Sequence, residues 1–138
     1  MSKVGEYIKR QPIVAGPDAT VEDAARLMAQ HGVGAVVIVD EFKRPIGIIT
    51  ERDLVKVVAE RKYGVRALDA GTRGDLLTAS PEDDVYQVLK KMRERKVRHL
   101  IVVDKEGKVA GVISVRDLLE DKALKALGDK VWWPPPEE

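Results

Sequence analysis

The sequence contains no cysteine in its 138 residues, which excludes disulfides, thiolate metal sites and a cysteine nucleophile. Asparagine is also absent, and Gln11, Gln30 and Gln87 are the only side-chain amides. Beside abundant Glu, Lys and Arg, that scarcity fits a heat-adapted source. The only histidines, His31 and His99, stand far apart, with no metal-ligand spacing and no nucleophile next to a general base. Neither catalysis nor a metal site is expected. No apolar run approaches the roughly 18 residues of a membrane span, and Met1-Ser2-Lys3-Val4-Gly5 lacks a signal-peptide core. A cytoplasmic protein without a membrane partner is the expectation. Charge of one sign is lacking too, since 24 Lys and Arg face 23 Asp and Glu, which disfavours bulk nucleic-acid binding.

What the chain does have is a duplication. Gly47-Ile48-Ile49-Thr50-Glu51-Arg52-Asp53 returns as Gly111-Val112-Ile113-Ser114-Val115-Arg116-Asp117, an offset of 64 between Asp53 and Asp117. The same offset relates Pro17 to Pro81, Val21 to Val85, Met28 to Met92 and Asp40 to Asp104. No insertion or deletion is needed between residues 4–56 and 68–120. Such self-similarity marks a repeated structural unit.

Each unit reads as strand, helix, strand, strand, helix. Pro12-Ile13-Val14 is a short strand, and Thr20 with Asp23 then forms a capping box that opens a helix. Val21, Ala24, Ala25 and Met28 make its apolar stripe, and Gly32 closes it. Residues 33–39 form a strand buried on both faces, 40–45 a hairpin connection, 46–49 the return strand, and 51–60 the motif helix. Leu76-Leu77-Thr78 begins the second round, with Asp84 as N-cap and Gln87 in the capping-box place. Residues 61–74, with Gly64, Gly71 and Gly74 among charges, read as a linker. Gly71-Thr72-Arg73-Gly74 lacks the Lys-Ser/Thr ending and the preceding strand of a phosphate loop. The expected layout is a first repeat over 1–60, a second over 75–127 and a tail over 128–138. Neither repeat can bury both faces of its sheet alone. Two sharing one core about a pseudo-twofold axis give an α/β protein of the α+β type, its helices packed on small sheets.

Thr50 and Ser114 are placed as helix N-caps, with Asp53 and Asp117 at the third helical position. A capping box for stability alone explains one such copy. Two copies inside a duplicated unit also suit a ligand, because hydroxyl, free N–H groups and a carboxylate crowd one helix N-terminus. An ionised carboxylate only accepts hydrogen bonds, so it can take both hydroxyls of a ribose diol.

These paired Gly-x-x-Thr/Ser-x-x-Asp motifs, the strand from Val97 through His99 to Asp104, and the turn Pro17-Asp18-Ala19-Thr20-Val21 resemble a tandem pair of CBS domains. That regulatory module is also found in IMP dehydrogenase, in the γ subunit of AMP-activated kinase and in stand-alone prokaryotic proteins. The resemblance implies two clefts for AMP, ADP or ATP, less often S-adenosylmethionine, whose occupancy regulates an effector protein. It implies one cleft of Arg98, His99, Ser114, Arg116 and Asp117, with Thr20 from the other half, and a second of Thr50, Arg52 and Asp53. Arg98-His99 is matched by Gly34-Ala35 in the first half, so the Asp117 cleft is expected to be the tighter. Adenine would lie near the first strand of a half, read by backbone groups around Ile13, Val14, Leu77 and Thr78. These four are equally ordinary core, and His99 equally a structural residue. No cofactor is required, and Mg²⁺ would only accompany a bound triphosphate.

The leading expectation is therefore a non-catalytic sensor of adenine nucleotides, or of S-adenosylmethionine. Its competitor is a dimerisation or interaction scaffold with vestigial clefts. Trp132-Trp133 could dock on the domain or a second chain, and the apolar sides of Leu54, Val57, Val58, Leu118 and Leu119 suit either a homodimer or an internal core.

Overall fold

The structure, a computed structural model, describes residues 2–119. The expected end of the second repeat and the Trp132-Trp133 tail lie outside the described residues. Within them the duplication is visible element by element. The first repeat runs β1 (Val14–Ala15), α1 (Val21–His31), β2 (Ala35–Val39), β3 (Pro45–Thr50) and α2 (Glu51–Glu60). After α3 (Ala67–Ala70) and β4 (Thr72–Arg73), the second runs β5 (Thr78–Ala79), α4 (Val85–Arg95), β6 (His99–Val103), β7 (Val109–Ser114) and α5 (Val115–Leu119).

The sequence capping signals explain the helix boundaries. Thr20 and Asp23 exchange hydrogen bonds of 2.9 and 3.1 Å at the start of α1, and Gly32 at φ 64° ends it. Asp84 accepts from the Gln87 N–H at 3.1 Å in α4, where Lys96 at φ 57° takes the terminating place of Gly32. Val21, Ala24 and Met28, and correspondingly Val85, Val88 and Met92, are buried.

The first strands start later than Pro12 and Leu76. β1 pairs in parallel with β2 through Val14 and Ala15, and β5 with β6 through Thr78 and Ala79. Ile13 and Leu77 lend these ladders only a carbonyl each, accepting from the N–H groups of Val37 and Ile101. The hairpins β2–β3 and β6–β7 complete a sheet of order β1-β2-β3-β4 and another of order β5-β6-β7.

Successive strand residues face opposite ways, and this sorts the core. Val36 and Ile38 join Val21, Ala24, Ile49 and Val57 under the helices of the first repeat. Leu100 and Val102 do the same in the second, with Val85, Val88, Met92, Ile113 and Leu118. The intervening Val37, Val39 and Ile101 form a third cluster, with Ile48, Val103 and Val112 packed on it. Its members are repeat equivalents of one another, so the two sheets meet face to face along an apolar seam that relates the halves.

The stretch 61–74 is not a plain linker, because it carries α3 and β4. A four-residue helix is too short to show periodicity, and Gly71, directly after it, is a close-packing position. A Cβ on Gly71 would overlap the Ile48 carbonyl oxygen, and one on Gly47 would come within 3.0 Å of the Thr72 carbonyl oxygen. Ala67 and Leu68 are buried in the first repeat, where Val21 N–H bonds to Val65 O and Ala67 N–H to Ala19 O. The opening 3₁₀ turn, Val4–Tyr7, packs instead on the second repeat: Val4 is fully buried there, and the Val4 N–H bonds to Asp83 O. Each lead segment thus packs on the other repeat. The isolated bridges Lys3–Asp84 and Thr20–Arg66 show that these lead segments correspond one residue out of step with the offset of 64. The second copy therefore carries one extra residue before its first strand, a correction to the gapless alignment.

Candidate functional site

Register and alternation decide which candidates look into the seam between the sheets. Residues paired across neighbouring strands share a face. Val14 lies opposite Val37, and Thr78 opposite Ile101, so both follow the seam cluster. His99 lies opposite Ser114, and Ala35 opposite Thr50, two residues along from those same cluster positions. Val14, Thr50, Thr78, His99 and Ser114 therefore share the seam face. Ile13 and Leu77 turn the other way and pack against the helix-side cores. Both side chains are core, and their carbonyls are already bonded within the sheets.

β1 and β5 are edge strands. Because Ile13 and Leu77 spend their carbonyls inward, alternation turns the backbone N–H and C=O of Val14 and Thr78 to the open edge. Val14 is also 37% exposed, an apolar side chain left at the rim of an apolar seam. A flat heteroaromatic ring needs that combination: an apolar wall with a free donor and acceptor beside it.

The motif helices begin where the seam ends. Ser114 N–H donates to Asp117 Oδ2 at 3.0 Å, and Asp117 N–H donates to Ser114 Oγ at 3.1 Å. Thr50 N–H donates to Asp53 Oδ2 at 2.9 Å, and the Thr50 hydroxyl adds a second bond to the same oxygen at 3.2 Å. The capping role is thus real in both copies. It leaves Oδ1 of each carboxylate without a hydrogen bond among the described residues, and a carboxylate accepts more than it has received here. Asp53 is the more committed of the two. The first N–H of each motif helix is tied to the strand beside it, Glu51 to Gly34 O and Val115 to Arg98 O.

His99, Ser114 and Asp117 come together, with Arg98 adjoining. Burial pushes the His99 imidazole below its ordinary value, while the Glu51 and Asp117 carboxylates pull it back up and Arg98 pushes it down. Arg52, Arg98 and Arg116 are exposed and make no ion pair among the described residues. Thr20 is bonded to Asp23 and bridged to Arg66, and no hydrogen bond joins it to Ser114 or Asp117. Glu51 is the residue that sequence reasoning passed over: it comes from the first repeat to the imidazole of the second. The available signal was the mismatch of Glu51 with Val115 inside otherwise matching motifs. Among the described residues no three His, Asp or Glu side chains gather as metal ligands.

Residues 4–60 and 65–123 each match the model of the CBS domain family. An uncharacterized protein of Methanopyrus kandleri is 38% identical over 119 residues, which are 85% of this chain and 61% of that protein. The inosine-5'-monophosphate dehydrogenase of Aquifex aeolicus is 32% identical over 111 residues, 80% of this chain but 22% of the enzyme. This chain therefore spans less than two thirds of either relative. Among solved structures, a CBS domain protein from Pyrobaculum aerophilum complexed with AMP is 30% identical, with a TM-score of 0.83 over 94% of this chain and 99% of that one. The CBS domain pair of protein MJ0100, in complex with 5-methylthioadenosine and S-adenosyl-L-methionine, is 27% identical with a TM-score of 0.81, covering 95% and 99%. With its duplicated β-α-β-β-α unit, shared seam and paired motif helices, the chain belongs to the CBS domain family, as a tandem pair of such domains.

Proposed function

We propose that this chain is a non-catalytic regulatory module that binds an adenosine ligand at the seam between its repeats. One observation carries the reading: the seam face gathers a rim of Val14 and Thr78 with free edge groups, and a cluster of His99, Ser114 and Asp117. Adenine suits the rim, a ribose diol suits the open carboxylate oxygen of Asp117, and Arg98, Arg116 and His99 supply donors for a phosphate. The Pyrobaculum relative complexed with AMP supports that assignment. Asp53, already holding two bonds from Thr50, makes the weaker counterpart with Arg52. AMP, ADP and ATP share the adenosine part, and Mg²⁺ would arrive only with a triphosphate. Occupancy would signal to a partner by favouring one packing of the halves, which requires unequal affinity for the two packings.

A thermal-unfolding series with AMP tests this reading. Ligand at about 100 times its dissociation constant stabilises a one-site protein by roughly 2.7 kcal/mol. An unmoved unfolding midpoint with AMP, ADP, ATP and S-adenosylmethionine alike would discard it.

A second role has its own support. Val55 and Val58 on α2 are 67% and 61% exposed, beside Leu54 and Ala59. That apolar face suits a second copy of the chain, and both roles are compatible. A Val58→Glu chain with the same molar mass in solution as the wild type would count against it.

A further inference from the structure

Gly34 and Arg98 hold the same place in the two repeats, one residue ahead of β2 and β6. The missing side chain at Gly34 does not leave empty space. A Cβ there would overlap Oε1 of Glu51 and lie 3.5 Å from Nε2 of His99. The Glu51 carboxylate of the first repeat therefore lies over Gly34, beside the imidazole that the second repeat brings to the seam. Repeat symmetry provides no counterpart, because Val115, buried in the second core, takes the place of Glu51 there. The carboxylate takes part in no hydrogen bond or ion pair among the described residues. Its charge acts on His99, as do those of Asp117 and Arg98.

We infer that Glu51 sets the charge selectivity of the cleft: it occupies the place beside His99 that a ligand phosphate would take, and so penalises phosphate against uncharged adenosine. This deepens the adenosine-ligand reading and rests on it. A phosphate can approach His99 and Arg98 only by driving the Glu51 carboxylate outward or by lying against a like charge. Glu51 is exposed at the start of α2, so its side chain can swing toward solvent, and the discrimination is graded. Glycine at position 34 is what admits the carboxylate to this position.

The test is isothermal titration of the full chain with adenosine, AMP and ATP, comparing wild type with Glu51→Gln and Gly34→Ala. The second variant keeps the charge but adds a Cβ that overlaps Oε1, displacing the flexible end of the side chain. AMP affinity relative to adenosine should rise about fivefold or more in Glu51→Gln, and in the same direction in Gly34→Ala. Exposed Glu41, in the β2–β3 turn, serves as the control, and Glu41→Gln should leave the ratio unchanged. A ratio in Glu51→Gln within about twofold of wild type, while adenosine binds both proteins, overturns the selectivity role and leaves the adenosine reading standing. Failure of adenosine, AMP and ATP alike to bind any of these proteins overturns the adenosine reading itself, whereas binding of AMP without adenosine overturns the selectivity alone. In the ligand-free proteins, NMR titration of the His99 imidazole should move further down in Glu51→Gln. An unchanged His99 titration overturns the proximity of Glu51 to His99 on which the selectivity depends.

Discussion

Val4 is fully buried in the core of the second repeat, and Ala67, which opens the matching lead segment, is fully buried in the core of the first. The halves are held together by exchanged segments as well as by the seam of Val37 and Ile101. Val4→Ala removes buried methyl groups and leaves a cavity, a loss of about 2 kcal/mol. Because Val4 belongs to both the start of the chain and the second core, unfolding should remain a single transition at lower denaturant. A urea titration checks this. A midpoint equal to that of wild type would mean that the lead segment does not hold the second repeat.

Gly71 offers a second check on the packing between segment and sheet. A Cβ on Gly71 meets the backbone of Ile48 and Ile49, which cannot rotate away as a side chain can, whereas one on Gly16 meets nothing within 4 Å. Gly71→Ala should destabilise by about 2 kcal/mol, and Gly16→Ala by less than about 0.5 kcal/mol. Equal effects in chemical denaturation would contradict the docking of β4 on β3.

His99 gives the stability a pH dependence whose sign follows from its surroundings. Burial lowers the folded-state value below the ordinary 6.5, so the unfolded chain binds the proton first as pH falls. The contribution is fully present above about pH 6.5 and is lost as pH drops through the folded-state value. Unfolding free energies measured between pH 8 and pH 5 should therefore fall more steeply for wild type than for His99→Gln. Parallel profiles would show that the imidazole is not shielded from water.

Much of this was legible in the sequence, because the signals were local. Thr20 with Asp23, and Ser114 with Asp117, announced helix starts that the structure places there, since a capping box acts within four consecutive residues. The constant offset announced two equal units, and the apolar runs of β2 and β6 announced strands buried on both sides. What stayed hidden depended on distance. Gly64, Gly71 and Gly74 look like linker residues, yet Gly71 is a close-packing position whose reason, Ile48, lies 23 residues away. The one-residue slip in the lead segments shows only through the bridges Lys3–Asp84 and Thr20–Arg66. Glu51 escaped notice because its neighbour His99 comes from the other repeat.

The central claim is that Asp117 closes a site for the ribose of an adenosine ligand. Isothermal titration of nucleotide-stripped protein with AMP and with 2′-deoxy-AMP, on wild type, Asp117→Ala and Asp53→Ala, tests it most directly. Wild type should bind AMP, and removal of the 2′-hydroxyl should cost about tenfold or more, the worth of one hydrogen bond to a charged acceptor. Asp117→Ala should abolish the preference for AMP over the deoxy ligand along with most of the affinity, and Asp53→Ala should affect the weaker site. Equal affinity of wild type and a well-folded Asp117→Ala for AMP would contradict the account.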